Sequence, residues 1–263
     1  MAIQNVKNYT IGKGKVYFRR SSIDATGLET KEAGYLFLGN APSISFTVEA
    51  EQKGHNSSTS CVVSEDENIT VSTKCSGTIT IDDIKSGTLA LFGQSTEPVQ
   101  DNLAATPISG ENIVAYEGQL MKLGETNNVG AVTAVVVNGS GGTPTYVEGT
   151  DYNADLNGGW IEMISGGGIT DLDDLEVDYT PTAQTRETID VGSSPSIKGT
   201  LIFQSDPIQG HKHDFQCDVT LNPDGELALV TEDWQSCGIK FNCRNTGDFP
   251  ALMKVWASIN NCA

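Results

Sequence analysis

The sequence predicts a mostly β protein: a body of antiparallel strands with one short α-helix, interrupted by a small all-β insertion. Three observations carry this reading. Apolar and polar residues alternate over 43–51 and 69–81, short β-like runs between Gly-rich turns fill 112–182, and one stretch alone, 83–92, has helical spacing. The chain has 263 residues, of which 38% are apolar and 19% charged, with 28 glycines. That is a composition able to bury a core of one large or two small domains.

Taken in order, 43–51 (SISFTVEAE) sends Ile44, Phe46, Val48 and Ala50 to one face and Ser45, Thr47, Glu49 and Glu51 to the other. The run 69–81 (ITVSTKCSGTITI) alternates in the same way and would reach about 40 Å at about 3.3 Å per residue, more than one compact core requires. The two read as antiparallel neighbours, and the polar stretch 52–68 between them as a long loop. Asp82 and Asp83 offer N-cap chemistry to a helix at 83–92, with Gly93 as its stop and Gly87 as a weak point.

Over 112–182 the character shifts. Eleven acidic residues face one basic residue, Lys122, a net of −10, against −8 for the remainder. Runs at 131–137, 159–164 and 175–179 read as strands separated by the Gly-rich turns at 139–142 and 166–168, so the segment is expected as a surface insertion, Ig-like or similar. Beyond it, 196–204, 213–221, 238–243 and 251–259 read as strands, with turns at 206–207 and 222–225. The expected domains are thus a discontinuous body, 1–111 with 183–263, and the insertion 112–182.

The charge excludes some functions. Sixteen Lys and Arg against thirty-four Asp and Glu leave a net −18, the wrong sign for gripping a phosphate backbone. Residues 1–10 lack the basic start and apolar stretch of a signal peptide, and no run of about 18 apolar residues occurs, so export and membrane insertion are not expected. The six cysteines, Cys61, Cys75, Cys217, Cys237, Cys243 and Cys262, form no C-x-x-C pair and read as reduced thiols. His211 and His213 share a strand face but have only His55 to add, too few ligands for a metal. The carboxylates Asp171, Asp173, Asp174, Glu176 and Asp178 lack the spacing of a calcium loop and read as a solvated face. Trp160, Trp234 and Trp256 read as core or rim packing. No catalytic motif is present, and no enzyme activity, metal or cofactor is expected.

A resemblance spans about two-thirds of the chain. GKVYF at 14–18, GYLFLGNAPSISFTVEAEQKGHNSS at 34–58, SGTITIDDIKSGTLALFG at 76–93, TIDVGSSPSIKGTLIFQSDPIQG at 188–210 and DVTLNPDGELALVTEDW at 218–234 are similar in order and pattern to the tail-tube, or major tail, proteins of long-tailed non-contractile bacteriophages. The loop reads Gly54-His55-Asn56-Ser57-Ser58, where the resemblance leads one to expect an acid before the histidine. The resemblance implies a tail-tube β-barrel or sandwich body and a structural virion protein, assembled in the bacterial cytoplasm. Its copies would form hexameric rings that stack into a tube for DNA ejection. It also implies tail tip or baseplate, terminator and tape measure proteins as partners, and DNA passing without specific binding.

A conduit wall should repel phosphate, and like charges act over about 8 Å at physiological salt. Glu49, Glu51, Asp214 and Asp218, on the polar faces of alternating strands, are the wall candidates, with Lys74 and Lys198 as nearby cations of the wrong sign. His55, Asn56, Ser57, Ser58, Glu65 and Asp66 are the candidates for contact between rings, in a loop expected to order only on stacking. Three other readings compete. One is a tail terminator or hub subunit of the same fold. The second is a carbohydrate-binding adhesin built on Tyr146, Tyr152 and Trp160, and the last is a hydrolase using an unidentified carboxylate pair.

Overall fold

The computed structural model describes residues 9–23, 29–32, 34–57, 64–124, 129–247 and 251–257. It is mostly β. In chain order the strands are β1 (Gly14–Ile23), β2 (Glu29–Lys31), β3 (Leu36–Phe37), β4 (Ser43–Ser57) and β5 (Ser64–Ile81), followed by helix α1 (Ser86–Phe92). Next come β6 (Val99–Leu103), β7 (Ile108–Val114), β8 (Leu120–Lys122), β9 (Val132–Gly139), β10 (Tyr152–Asp155), β11 (Trp160–Met163), β12 (Asp174–Pro181) and β13 (Gln184–Thr188). The last are β14 (Ile197–Ser205), β15 (His213–Asp224), β16 (Cys237–Arg244) and β17 (Lys254–Ala257). The chain divides into two compact units, Met1–Pro98 with Ile189–Ala263, and Val99–Thr188.

The first unit is one antiparallel sheet in the order β2-β1-β14-β15-β16-β5-β4, with β3 beside β1 and β17 beside β15. The alternation seen in the sequence decides its faces. Val16, Phe18, Ile197, Leu201, Cys217, Val219, Ile239, Phe241, Ile79 and Ile81 share one buried face, onto which α1 sets Leu91. Two glycines make this packing fit. A Cβ at Gly77 would run into the Phe241 ring and the Ser45 carbonyl, and one at Gly199 into the Phe18 ring and the Arg19 carbonyl. Each glycine leaves room for an aromatic ring from a neighbouring strand.

The sheet is open and forms no closed barrel among the described strands, with β2 and β4 at its edges. It nevertheless rolls, as a twisted sheet must. Glu29 and Lys31 of β2 reach over the polar face to Arg244 and Asp218, well beyond their hydrogen-bonded neighbour β1.

Helix α1 is shorter than the expected 83–92. Asp82 accepts two hydrogen bonds from Asn40 Nδ2 at 2.7 and 2.8 Å, and Asp83 pairs with Lys85, so neither caps the helix. Lys85 holds the N-cap position and gives the helix no side-chain cap bond. At the other end Gly93 keeps φ −74°, and Gln94 takes the left-handed turn at φ 49°.

The second unit begins thirteen residues before the expected 112 and runs six past 182, because β6 pairs along its whole length with β13. Inside, the sheets β10-β11-β8 and β7-β12-β9 share one core of Met121, Ile161, Met163, Val132, Val137, Leu175, Val177 and Tyr179, a small sandwich. Its carboxylates have work to do: they accept backbone N–H groups in the turns. Asp151 takes those of Val147 and Gly168, Asp173 that of Thr170, Asp178 that of Gly110, and Glu176 that of Gly141. These bonds hold the Asp151 and Asp173 carboxyls below the usual range, and a bond from Ser109 with that of Gly110 does the same for Asp178. The acidic run is turn chemistry more than a bare solvated face.

Candidate assembly surface

The feature that sets the first unit apart is the β4–β5 hairpin. Its strands pair from Ser43↔Thr80 to Ser57↔Ser64, with bulges after Glu51 and His55, whereas β16 accompanies β5 only from Ser76 to Ile81. Residues 64–75 and their partners on β4 therefore leave the sheet as a two-stranded arm, about 40 Å long at about 3.3 Å per residue. The stretch 52–68, expected as a loop, is mostly this arm. Its sequence is polar on both faces and so hides the strand period, while cross-strand pairing still satisfies the backbone.

On the arm the apolar face of the body continues without cover. Val48, Ile69 and Val71 are 58%, 56% and 59% exposed. The opposite face carries Glu49, which stands across from Lys74, and Glu51, which accepts a 2.9 Å hydrogen bond from Ser72. Near the tip His55 Nδ1 lies 2.6 Å from Asp66, Asn56 faces Glu65, and the Glu65 carboxylate lies over Gly54 where a Cβ would stand. Ser57 ends β4. Ser58 and Cys61 lie outside the described residues. Among the described strands, outer edge β4 has no partner beyond β5.

The other two wall candidates lie elsewhere. Asp214 is half-buried and accepts the Ser205 N–H at 2.6 Å. Asp218 is 1% exposed and does not line a surface. Its carboxylate receives Lys31 Nζ at 3.0 Å, Thr200 Oγ1 at 2.7 Å and the Thr246 hydroxyl. Burial alone would raise its pKa, but these donors and the Lys31 charge outweigh burial and hold it below the usual range. Beside it Arg244 clamps Glu29 through two bonds of 2.9 and 2.7 Å, which keeps the Glu29 carboxyl low. Asp218 is therefore corrected from wall residue to the anchor of the rolled edge. Lys198 belongs to the same node, where its charge helps to lower Glu29.

The aromatics proposed for a glycan site do not form a bare platform. Tyr152 is in the core of the second unit, Tyr146 packs against that core, and Trp160 has Lys122 Nζ 4.8 Å from its ring centre. Trp234, expected to pack, stands 95% exposed in the segment after β15. Three buried or half-buried thiols, Cys75, Cys217 and Cys243, meet on the core side of neighbouring strands. Burial and the Cys243 thiol push Cys75 up to about 12. Among the described residues no His, Cys, Asp or Glu group is arranged to hold a metal ion, and no helix is long and apolar enough to cross a membrane.

Comparison with curated proteins finds no match. A family model does match, over residues 9–204, which covers most of both units. The chain belongs to the family described as Protein of unknown function UCP028589.

Proposed function

We propose that this protein is a structural subunit that polymerises with copies of itself into a tube, the tail tube of a long-tailed bacteriophage, through which DNA leaves the particle. The observation that carries the reading is the β4–β5 arm. A hairpin wet on both faces is marginal in water, and one with a row of exposed Val and Ile needs cover. A neighbouring copy supplies that cover, and sheet-to-sheet joining around a ring removes the free edge at β4. The resemblance to tail-tube proteins supplies the ring of six and the stacking of rings, with tape measure, terminator and tail tip proteins as partners and the virion as location.

The polar face of the arm and of the sheet at its root suits a conduit. Glu49, Glu51 and Ser72 on the arm, with Thr47 and Ser76 at its root, offer a sliding duplex no cationic hold, and Lys74 is opposed in register by Glu49. Asp214, half-exposed with one oxygen bound to the Ser205 N–H, stays a wall candidate, whereas Asp218, buried, takes no part in the wall. The test is the double variant Val48→Asp with Val71→Asp, which puts charge on the apolar face of the arm and leaves the body's core untouched. It should give folded protein that sediments as a monomer at concentrations where the parent forms large assemblies. Unchanged assembly of the variant would overturn the assignment of the arm.

A further inference from the structure

The segment between β15 and β16 is as exposed as any part of the first unit. Leu229, Val230 and Trp234 are 77%, 97% and 95% exposed, and with Asp82 and Ile84 they border an open cleft of about 550 Å³. Three large apolar side chains held in water within six residues mark an interaction surface, and tryptophan is the side chain most enriched where binding energy concentrates. Glu232 and Asp233, both exposed, stand beside the tryptophan, so the surface to be met should be aromatic and cationic.

The same chain carries such a surface on β1 and β3. Arg19 lies 4.7 Å over the Tyr35 ring and Phe37 packs 5.4 Å from Tyr17, while Lys85, 6.0 Å from the Phe37 ring, is already paired with Asp83, which leaves Arg19 as the cation of this surface. Tyr35, Leu36 and Phe37 are each about 40% exposed. Trp234 is not seated there in its own copy, since it is almost wholly in solvent.

We propose that the 229–234 segment of one copy docks on the Arg19–Tyr35–Phe37 surface of the next, Trp234 entering against the aromatic rings and Glu232 and Asp233 facing Arg19. Charge argues for a second copy of this chain as occupant. At −18 overall, copies repel one another unless contact is made where one of them is locally cationic. The two surfaces are different, so the contact is head-to-tail, the kind that closes into a ring. This inference rests on the tube reading and adds to it a contact separate from the arm.

The experiment uses the full chain with Trp160→Phe and Trp256→Phe, which leaves Trp234 as the one tryptophan of the three. On raising the concentration through assembly, its emission should shift to the blue and acrylamide quenching should fall severalfold. Trp234→Ala in the parent should keep the parent's circular dichroism and raise the concentration needed for assembly by about thirtyfold or more, the scale of a hot-spot aromatic. Assemblies in which Trp234 stays as quenchable as in the monomer, or a Trp234→Ala variant that assembles like the parent, overturn the docking and leave the tube reading standing. A parent that stays monomeric at every concentration overturns both.

Discussion

Replacing Asp218 by Asn tests the node that holds the rolled edge of the first sheet. The substitution keeps the shape of a side chain that is 0% exposed but removes the charge that receives Lys31 at 3.0 Å and the Thr200 and Thr246 hydroxyls. Hydrogen bonds to a buried charge contribute about 1.5–3 kcal/mol each, and breaking a buried pair costs about 3–5 kcal/mol. Lys31 keeps 21% of its side chain in water and can turn outward, which places the loss near the lower bound, about 3 kcal/mol at pH 7. With a urea slope of about 2 kcal/mol per molar, the midpoint should fall by about 1.5 M, measured by circular dichroism on dilute protein. The pH dependence supplies a second reading. Because the folded carboxyl titrates below its unfolded value of about 3.9, Asp218 stabilises the fold above that value, and its contribution disappears as pH falls through the lower, folded pKa. The gap between parent and variant should therefore be full at pH 6–7 and shrink as pH falls below about 4. A gap under about 1 kcal/mol at pH 7, or one that does not change on acidification, would refute the assignment.

Other outcomes follow from the same geometry. Gly77→Val should prevent the first unit from folding, seen as loss of native near-ultraviolet dichroism, because its side chain has no room between the Phe241 ring and the Ser45 carbonyl. Phe241→Ala, which empties a fully buried position, should lower stability by about 3–5 kcal/mol in urea unfolding. Cys75, buried and with its pKa raised to about 12, should react with an aromatic disulfide reagent at pH 8 many times more slowly in the native protein than after denaturation. Glu49→Lys with Glu51→Lys should leave assembly intact and slow the release of DNA from particles built with it, followed by dye fluorescence; release at the parent's rate would remove both from the wall.

Much of the fold was legible where one strand face is dry. The alternation at 69–81 and 43–51 marks β5 and β4 and their antiparallel pairing, and the runs at 196–204, 213–221 and 238–243 lie within or nearly coincide with β14, β15 and β16. Legibility fails where that contrast is lost. The arm at 52–57 and 64–68 is wet on both faces, so nothing in its pattern distinguishes it from a loop. The ribbon of β6 and β13, VQDNL against QTRET, has no compositional break, which is why composition places the start of the insertion at 112. Asp218 sits at a polar position of an alternating strand, and only the roll of the sheet, which brings Lys31 from 187 residues away, turns that position inward. The exposure of Trp234 has no local signature, since an apolar run after a turn reads as core until the fold leaves its side chain in solvent.

Negative-stain electron microscopy of concentrated, full-length protein tests the central claim most directly. Rings with an open centre, singly or stacked into tubes, are the result predicted here. A field of separate single-copy particles at every concentration, remaining monomeric in sedimentation, would contradict it.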